Sequence, residues 1–393
     1  MVYHPDVVTE ERDMKLSKLI AVVVLALMLC PASSVVGSEP FFTGLGDLPG
    51  GDYQSNDWGV SADGSVAIGR SQSAYGFEAF RWTMAGGMVG LGDLPGGDFN
   101  SAAHAASADG SMIVGSGWAV SGSEPFLWTA AGGMVGLGHL LGGYSGGATG
   151  ITPDGSVIVG GSGSISGGQA FRWENGVMIG LGDLAGGEFR SGAQAVSADG
   201  SVVVGSSDSG TGAEAYRWTE QQGMVGLGDL PGGDFYSFAK DISADGSVIV
   251  GGGKSAAGHE PFRWTEQQGM VGLGTLPGGA YSAYAATVSA DGSVILGASH
   301  SGAGAGYEAF IWDGVHGMRS VRDVLVNEYG LDVAGWTLVG ASGISDDLLT
   351  IVGGGVNPAG YEEAWIAHIP EPATLWLLAL GSLVVMRWRR SGC

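Results

Sequence analysis

Short apolar runs and clusters of glycine, serine and aspartate alternate along most of the chain. Around Asp109 the pattern predicts four strands in succession. The first covers about Ala102 to Ser107, and Asp109-Gly110 follows as a two-residue hairpin turn. The second is Ser111 to Gly115, centred on Met112-Ile113-Val114. A Gly/Ser-rich loop leads to the third, Glu124 to Trp128. Ala131-Gly132-Gly133 then turns the chain into the fourth, Met134 to Gly138. The loop Leu140-Leu141-Gly142-Gly143 opens the next unit. The apolar runs lack strict alternation, as expected of strands covered on both faces.

The whole pattern repeats. Ser-Ala-Asp-Gly-Ser or a close variant recurs with its aspartate at Asp63, Asp109, Asp154, Asp199, Asp245 and Asp291, spaced by 45 or 46 residues. A degenerate seventh copy, Gly343 to Gly353, aligns without gaps to Gly59 through Gly69. Four strands in about 46 residues make one blade of a β-propeller. An aromatic pair recurs on the third strand: Phe80/Trp82, Phe126/Trp128, Phe171/Trp173, Tyr216/Trp218, Phe262/Trp264 and Phe310/Trp312. These rings are large enough to fill the wedge between blades. The last unit departs from the pattern, with Trp365 at the first ring position and Ala367 at the second.

The expected fold is therefore all-β, a seven-bladed propeller of four-stranded blades. Fourth strands are expected at 43–48, 89–94, 135–140, 179–184, 225–230, 271–276 and, degenerately, 317–325. The repeat region begins on a fourth strand, Phe42 to Leu48, and finishes on a third, Glu363 to Ile369. The first can complete the last blade and so remove the open edges of an unclosed sheet. Six blades plus a divergent cap is the alternative. The one long departure, 313–342, is read as an adaptation at closure; it carries Arg319, Arg322, Asp323, Glu328 and Asp332.

Composition narrows the reading. Of 393 residues, 76 are glycine, yet glycine does not recur at every third position, so a collagen-like chain is excluded. Hydrophobic residues at 45% are too many for a disordered linker. The net charge of −23 makes nucleic acid an unlikely partner. The two cysteines, Cys30 and Cys393, fall in the end segments, so no disulfide is expected in the repeats.

Both ends read as targeting segments. Met14-Lys15-Leu16-Ser17-Lys18, the apolar run Leu19 to Leu29 and the small residues after it follow the order of a secretory signal peptide, assigned to 1–37. At 370–393, Pro370-Glu371-Pro372 precedes a short apolar stretch, Ala373 to Met386, and then Arg387-Trp388-Arg389-Arg390. The stretch is short for a permanent anchor, which suggests transient membrane insertion. This three-part tail resembles the PEP-CTERM sorting signal. The resemblance implies processing by an exosortase-type membrane enzyme. It also implies export to the cell surface or extracellular matrix of a Gram-negative-type bacterium that makes a polysaccharide matrix. The propeller is assigned to 38–369.

Within the repeats, Glu-Ala-Phe-Arg-Trp, Ser-Ala-Asp-Gly and Gly-Leu-Gly-Asp-Leu together resemble the HAF family of extracellular repeats. Glu or Gln takes the His position of its signature, as in Glu78-Ala79-Phe80 and Gln169-Ala170-Phe171. The resemblance implies secretion and brings no biochemical activity.

Candidate chemistry is sparse. The seven histidines, His4, His104, His139, His259, His300, His316 and His368, occupy no fixed unit position and read as incidental. Gly143-Tyr144-Ser145-Gly146-Gly147 matches a nucleophile elbow in letters but lies in a loop between units. The turn aspartates read as structural. A second set, Asp47, Asp93, Asp183 and Asp229, follows the fourth strands. After the double glycine come Asp52, Asp98, Glu188 and Asp234, each followed by an aromatic: Tyr53, Phe99, Phe189 and Phe235. In a propeller these would sit on the face where ligands usually bind, and could hold cations such as Ca²⁺ or stack on sugars. The structural alternative is that Gly-Gly-Asp makes a turn and the aromatic plugs a blade junction. No catalytic constellation is visible. The expectation is a binding or structural protein that engages polysaccharide or a surface protein. The alternative is a polysaccharide-active enzyme, a lyase or glycosidase, on the same scaffold.

Overall fold

The computed structural model describes residues 39–302 and 306–369. The expected signal segment and the tail, including Pro370, Glu371 and Pro372, lie outside the described residues. Among the described residues no helix is long and apolar enough to cross a membrane.

The fold is all-β. It begins with β1 (Phe41–Gly44), and then sets of four strands follow in chain order. The first set is β2 (Gly50–Val60), β3 (Ala67–Ser73), β4 (Gly76–Thr83) and β5 (Gly87–Gly90). The second is β6 (Gly96–Ala106), β7 (Met112–Ala119), β8 (Gly122–Thr129) and β9 (Gly133–Gly136). The third is β10 (Gly146–Ile151), β11 (Val157–Ser164), β12 (Gly167–Glu174) and β13 (Val177–Gly180). The fourth is β14 (Gly186–Val196), β15 (Val202–Ser209), β16 (Ala213–Thr219) and β17 (Gly223–Gly226). The fifth is β18 (Gly232–Ile242), β19 (Ile249–Ser255), β20 (Gly258–Thr265) and β21 (Gly269–Gly272). The sixth is β22 (Ala283–Val288), β23 (Val294–His300), β24 (Tyr307–Asp313) and β25 (Gly317–Ser320). A short helix α1 (Val321–Asn327) precedes β26 (Thr337–Ile344), β27 (Thr350–Val356) and β28 (Glu362–His368). Within each set neighbours pair antiparallel. The last three strands are joined by β1, in the order β1-β28-β27-β26.

The repeated turn is tighter in its chemistry than a two-residue hairpin. The Ser61 amide donates to the Val66 carbonyl (2.8 Å) and the Gly64 amide to the Ser61 carbonyl (2.9 Å). Gly64 alone takes positive φ (+72°), not Asp63. The loop is thus a four-residue turn ending in a left-handed glycine. Asp63 instead serves through its side chain: Oδ1 accepts from the Ser61 hydroxyl (2.6 Å) and the Ser65 amide (2.9 Å). Asp109, Asp154, Asp199, Asp245 and Asp291 repeat these contacts. In the last unit Asp347 takes the role, and Leu348 sits at the glycine position with φ +64°.

These turns also bond to one another. Asp346 donates its amide to Ala62, Asp63 to Ala108, Ala108 to Pro153, Ala198 to Ala244, and Ala244 to Ala290, at 2.8–3.0 Å. Pro153 has no amide hydrogen, which accounts for the missing link to Ala198.

The fourth strands end earlier than the pattern suggests. β5 stops at Gly90, where 89–94 was expected, because Gly92 turns to positive φ (+80°) and gives its amide to Glu78 Oε1 (3.0 Å). Likewise β1 is Phe41–Gly44 where Phe42 to Leu48 was expected. First strands start earlier: β6 begins at the double glycine, six residues before Ala102.

The aromatic pair divides its labour. Phe80, Phe126, Phe171, Tyr216, Phe262, Phe310 and Trp365 are fully buried between sets. Of the second rings, Trp82 is buried, and others such as Trp128 and Trp264 pack against those cores only partly buried. The 313–342 departure contains α1, capped by Ser320. Its Val321, Val324 and Leu325 join Leu331, Val333, Leu338 and Trp365 in one core.

Candidate functional site

The first strands place a ring of residues that differ chemically from unit to unit. In each, pairing to the second strand slips by one residue just before the repeated turn: between Asp57 and Gly59, Ala103 and Ala105, Ala148 and Gly150, and so on through Ala341 and Gly343. Such a bulge leaves one residue unpaired and re-aims its side chain. The bulged residues are Trp58, His104, Thr149, Gln194, Lys240, Ala286 and Ser342. All seven line one cavity of about 220 Å³, with their neighbours from all seven first strands. Several reach across to the following strand. His104 Nδ1 lies 2.8 Å from the Ala148 carbonyl oxygen, and the Thr149 hydroxyl donates to Ala193 (2.9 Å).

A second cavity of about 580 Å³ shares Trp58, Lys240, Ala286 and Ser342 with the first. Its walls are asymmetric. One residue before the bulge, six units carry a buried alanine: Ala103, Ala148, Ala193, Ala239, Ala285 and Ala341. The first unit carries Asp57, only 5% exposed. Asp57 Oδ2 accepts from the Ser342 hydroxyl, and Oδ1 has no partner. Burial pushes its carboxyl up to about 7, against the pull of Ser342.

Two cations, Arg70 and Lys240, line the same cavity. Arg70 lies with its guanidinium carbon 4.5 Å from the centre of the Phe77 ring and 5.2 Å from that of Trp58; its Nε is buried without a partner. Lys240 is open to the cavity, yet the protein around it lowers its pKa by desolvation. Desolvation, and then the charges of Lys240 and Arg70, lower that of His104. Tyr284 (39% exposed) and Glu362, which accepts from Gln54 Nε2 (2.6 Å), complete the rim.

The residues singled out in the sequence lie elsewhere. Asp52, Asp98, Glu188 and Asp234 are exposed, each near the start of a different first strand. Asp234 pairs with Lys254, which lowers its pKa. Phe99, Phe189 and Phe235 are half-buried, with their carbonyls against Gly76, Gly167 and Gly212 of the preceding unit. The Tyr53 ring lies against Tyr361 of the last unit, with centroids 5.2 Å apart and planes tilted by 41°. Burial, and then the Glu363 charge, raise its hydroxyl to about 12. The structure thus puts these aromatics at junctions between sets. Among the described residues no three His, Cys, Asp or Glu side chains form a group that could hold a metal.

Of the second carboxylate set, Asp93 Oδ1 accepts from the Leu94 amide (2.8 Å) and Oδ2 from the Asn100 amide (2.6 Å), ordering the loop between sets. Sequence reasoning missed Asp57, Arg70 and Lys240. The signal was present: aligning the units on their turns leaves Asp57 alone against six alanines.

Comparison with known proteins is consistent with both parts of this picture. Residues 368–391 match the PEP-CTERM protein-sorting motif. The chain is thus exported and surface-targeted, and carries the signal that exosortase processes. No curated protein matches the chain. Among solved structures, the β-propeller domain of the Trilobed protease from Pyrococcus furiosus is similar, with a TM-score of 0.51 and 10% identity over 80% of this chain and 92% of that one. Oligogalacturonate lyase from Vibrio parahaemolyticus gives 0.49 and 8%, over 85% and 98%. TolB from Acinetobacter baumannii gives 0.44 and 13%, over 66% of this chain; the match spans three fifths of that TolB. At such identities the likeness defines the class of fold, an all-β protein with propeller neighbours.

Proposed function

We propose that this chain is an exported seven-bladed propeller, closed by β1 in the last blade, that acts at the cell surface or in the extracellular matrix by binding. Its ligand is a polysaccharide or a surface protein held on one loop face, and the chain works as a HAF-like secreted repeat protein. Closure is supported by the junction between first and last units, which uses the same parts as the internal ones. Ser55 accepts from the Ala364 amide (3.1 Å) and donates to Gly46 (2.6 Å), as Ser101 does with Ala79 and Gly92. Glu363 accepts from the Gly46 amide as Glu78 does from Gly92.

The observation that carries the binding reading is the asymmetric cavity. Repeats that agree at turn, core and junction positions diverge in chemistry where seven strands converge. Purified protein should be retained on its host's matrix, with or without added Ca²⁺, in a pull-down. Absence of any retained partner in both conditions overturns the reading. Asp57 favours one second reading, a polysaccharide-active enzyme, since a carboxyl poised near neutrality in a cavity suits general acid–base work. Release of sugar products from matrix by the pure protein would establish it over simple binding.

A further inference from the structure

We infer that the 580 Å³ cavity is a subsite for one uronic-acid unit of a saccharide, with Asp57 accepting from a sugar hydroxyl and Arg70 and Lys240 receiving the carboxylate. The inference rests on the polysaccharide form of the binding reading and names its ligand class.

A buried polar atom without a partner is destabilising, so proteins rarely keep one without a use. This cavity keeps two, an acceptor at Asp57 Oδ1 and a donor at Arg70 Nε. Six sister units solve the Asp57 position with alanine, so the fold itself has no need of a carboxylate there. The missing partner of Oδ1 is a donor, which a sugar hydroxyl supplies. Arg70 is held against Phe77 and Trp58, so its fork is fixed in direction, as planar recognition of a carboxylate requires. Lys240 adds a second cation from the fifth unit. Arg70 and Lys240 line the cavity beside the carboxyls of Asp57 and Glu362, yet neither cation is in an ion pair among the described residues, which leaves both able to receive an anionic group. Tyr284 offers a partly open ring to the apolar face of a pyranose. The volume falls within the range of small-molecule sites.

The test titrates D-glucuronate and, separately, D-glucose into the folded protein, followed by tryptophan fluorescence and NMR. Asp57→Ala and Arg70→Gln are examined beside the parent. Asp57→Ala installs the residue of the other six units and so retains the fold. Saturable change with glucuronate, at least tenfold weaker with glucose and lost in both variants, is the expected result. Equal response to both sugars overturns the carboxylate assignment. Response retained in Asp57→Ala overturns the site. No response to glucuronate, while the parent is still retained on matrix, overturns this inference and leaves the binding reading standing. Loss of matrix retention as well removes both.

Discussion

Two residues depart from what their repeat position dictates, and each yields a measurement. Asp57 replaces a buried alanine. Its unfolded-state pKa is near 3.8 and its folded value about 7, so the folded protein holds an extra proton between those values. Stability from this group is therefore full below about pH 4 and falls as pH rises toward 7, by up to about 4 kcal/mol. Asp57→Ala should be more stable than the parent at pH 7.5, with the gap closing near pH 4, in denaturant melts at both pH values. His104, Lys240 and Glu362 are common to both proteins, so the difference isolates Asp57. Leu348 occupies a left-handed turn position that six units give to glycine. Leu348→Gly should raise the stability by up to about 1 kcal/mol, since the relieved strain is partly offset by glycine's greater freedom when unfolded. The same melt reads it.

Elements are held by parts that act between sets. The first ring of each third strand fills the wedge between neighbours, and Phe126→Ala should cost about 3–5 kcal/mol. Ser237 both accepts from the Ala215 amide (3.0 Å) and donates to Gly228 (2.6 Å) across a junction. Ser237→Ala leaves both groups buried and should cost about 1–3 kcal/mol in chemical denaturation. The Glu of Glu-Ala-Phe is legible here in a way the sequence alone did not reveal. Glu78 folds over the fourth strand at Gly90, where a Cβ would strike its carboxylate, and takes the Gly92 amide. Two separate motifs, Glu-Ala-Phe and Gly-Leu-Gly, are thus halves of one contact.

At the scale of the molecule, β1 is the strand on which the proposed closure turns. It pairs residue by residue with β28, from Phe41 opposite His368 to Gly44 opposite Trp365. Removing 41–44 from the exported form leaves β28 an open edge, a template for pairing with another copy. Loss of thermal stability together with self-association in light scattering is the expected outcome. An unchanged monomer would contradict the closed-ring reading. The helical departure at α1 fits the same picture, since it fills the space beside Trp365 and Phe42 where the repeat is least regular.

The sequence by itself determined the class and rhythm of the fold. A turn of Ser-x-Asp-Gly-Ser every 45 or 46 residues, with one large ring per third strand, is a local instruction, readable because its physics lies within a few bonds of each residue. It also carried the sorting tail, whose chemistry is linear. The exact ends of strands escaped it, because Glu78 and Gly92 lie 14 residues apart and meet only when the third and fourth strands pair. The cavity escaped it for a larger reason. Asp57 and Ser342 are 285 residues apart, and Arg70 and Lys240 belong to different units. Only convergence of the first strands brings a lone carboxylate, two cations and open aromatic rings into one space. A site built where strands of distant units converge is a property of the tertiary structure.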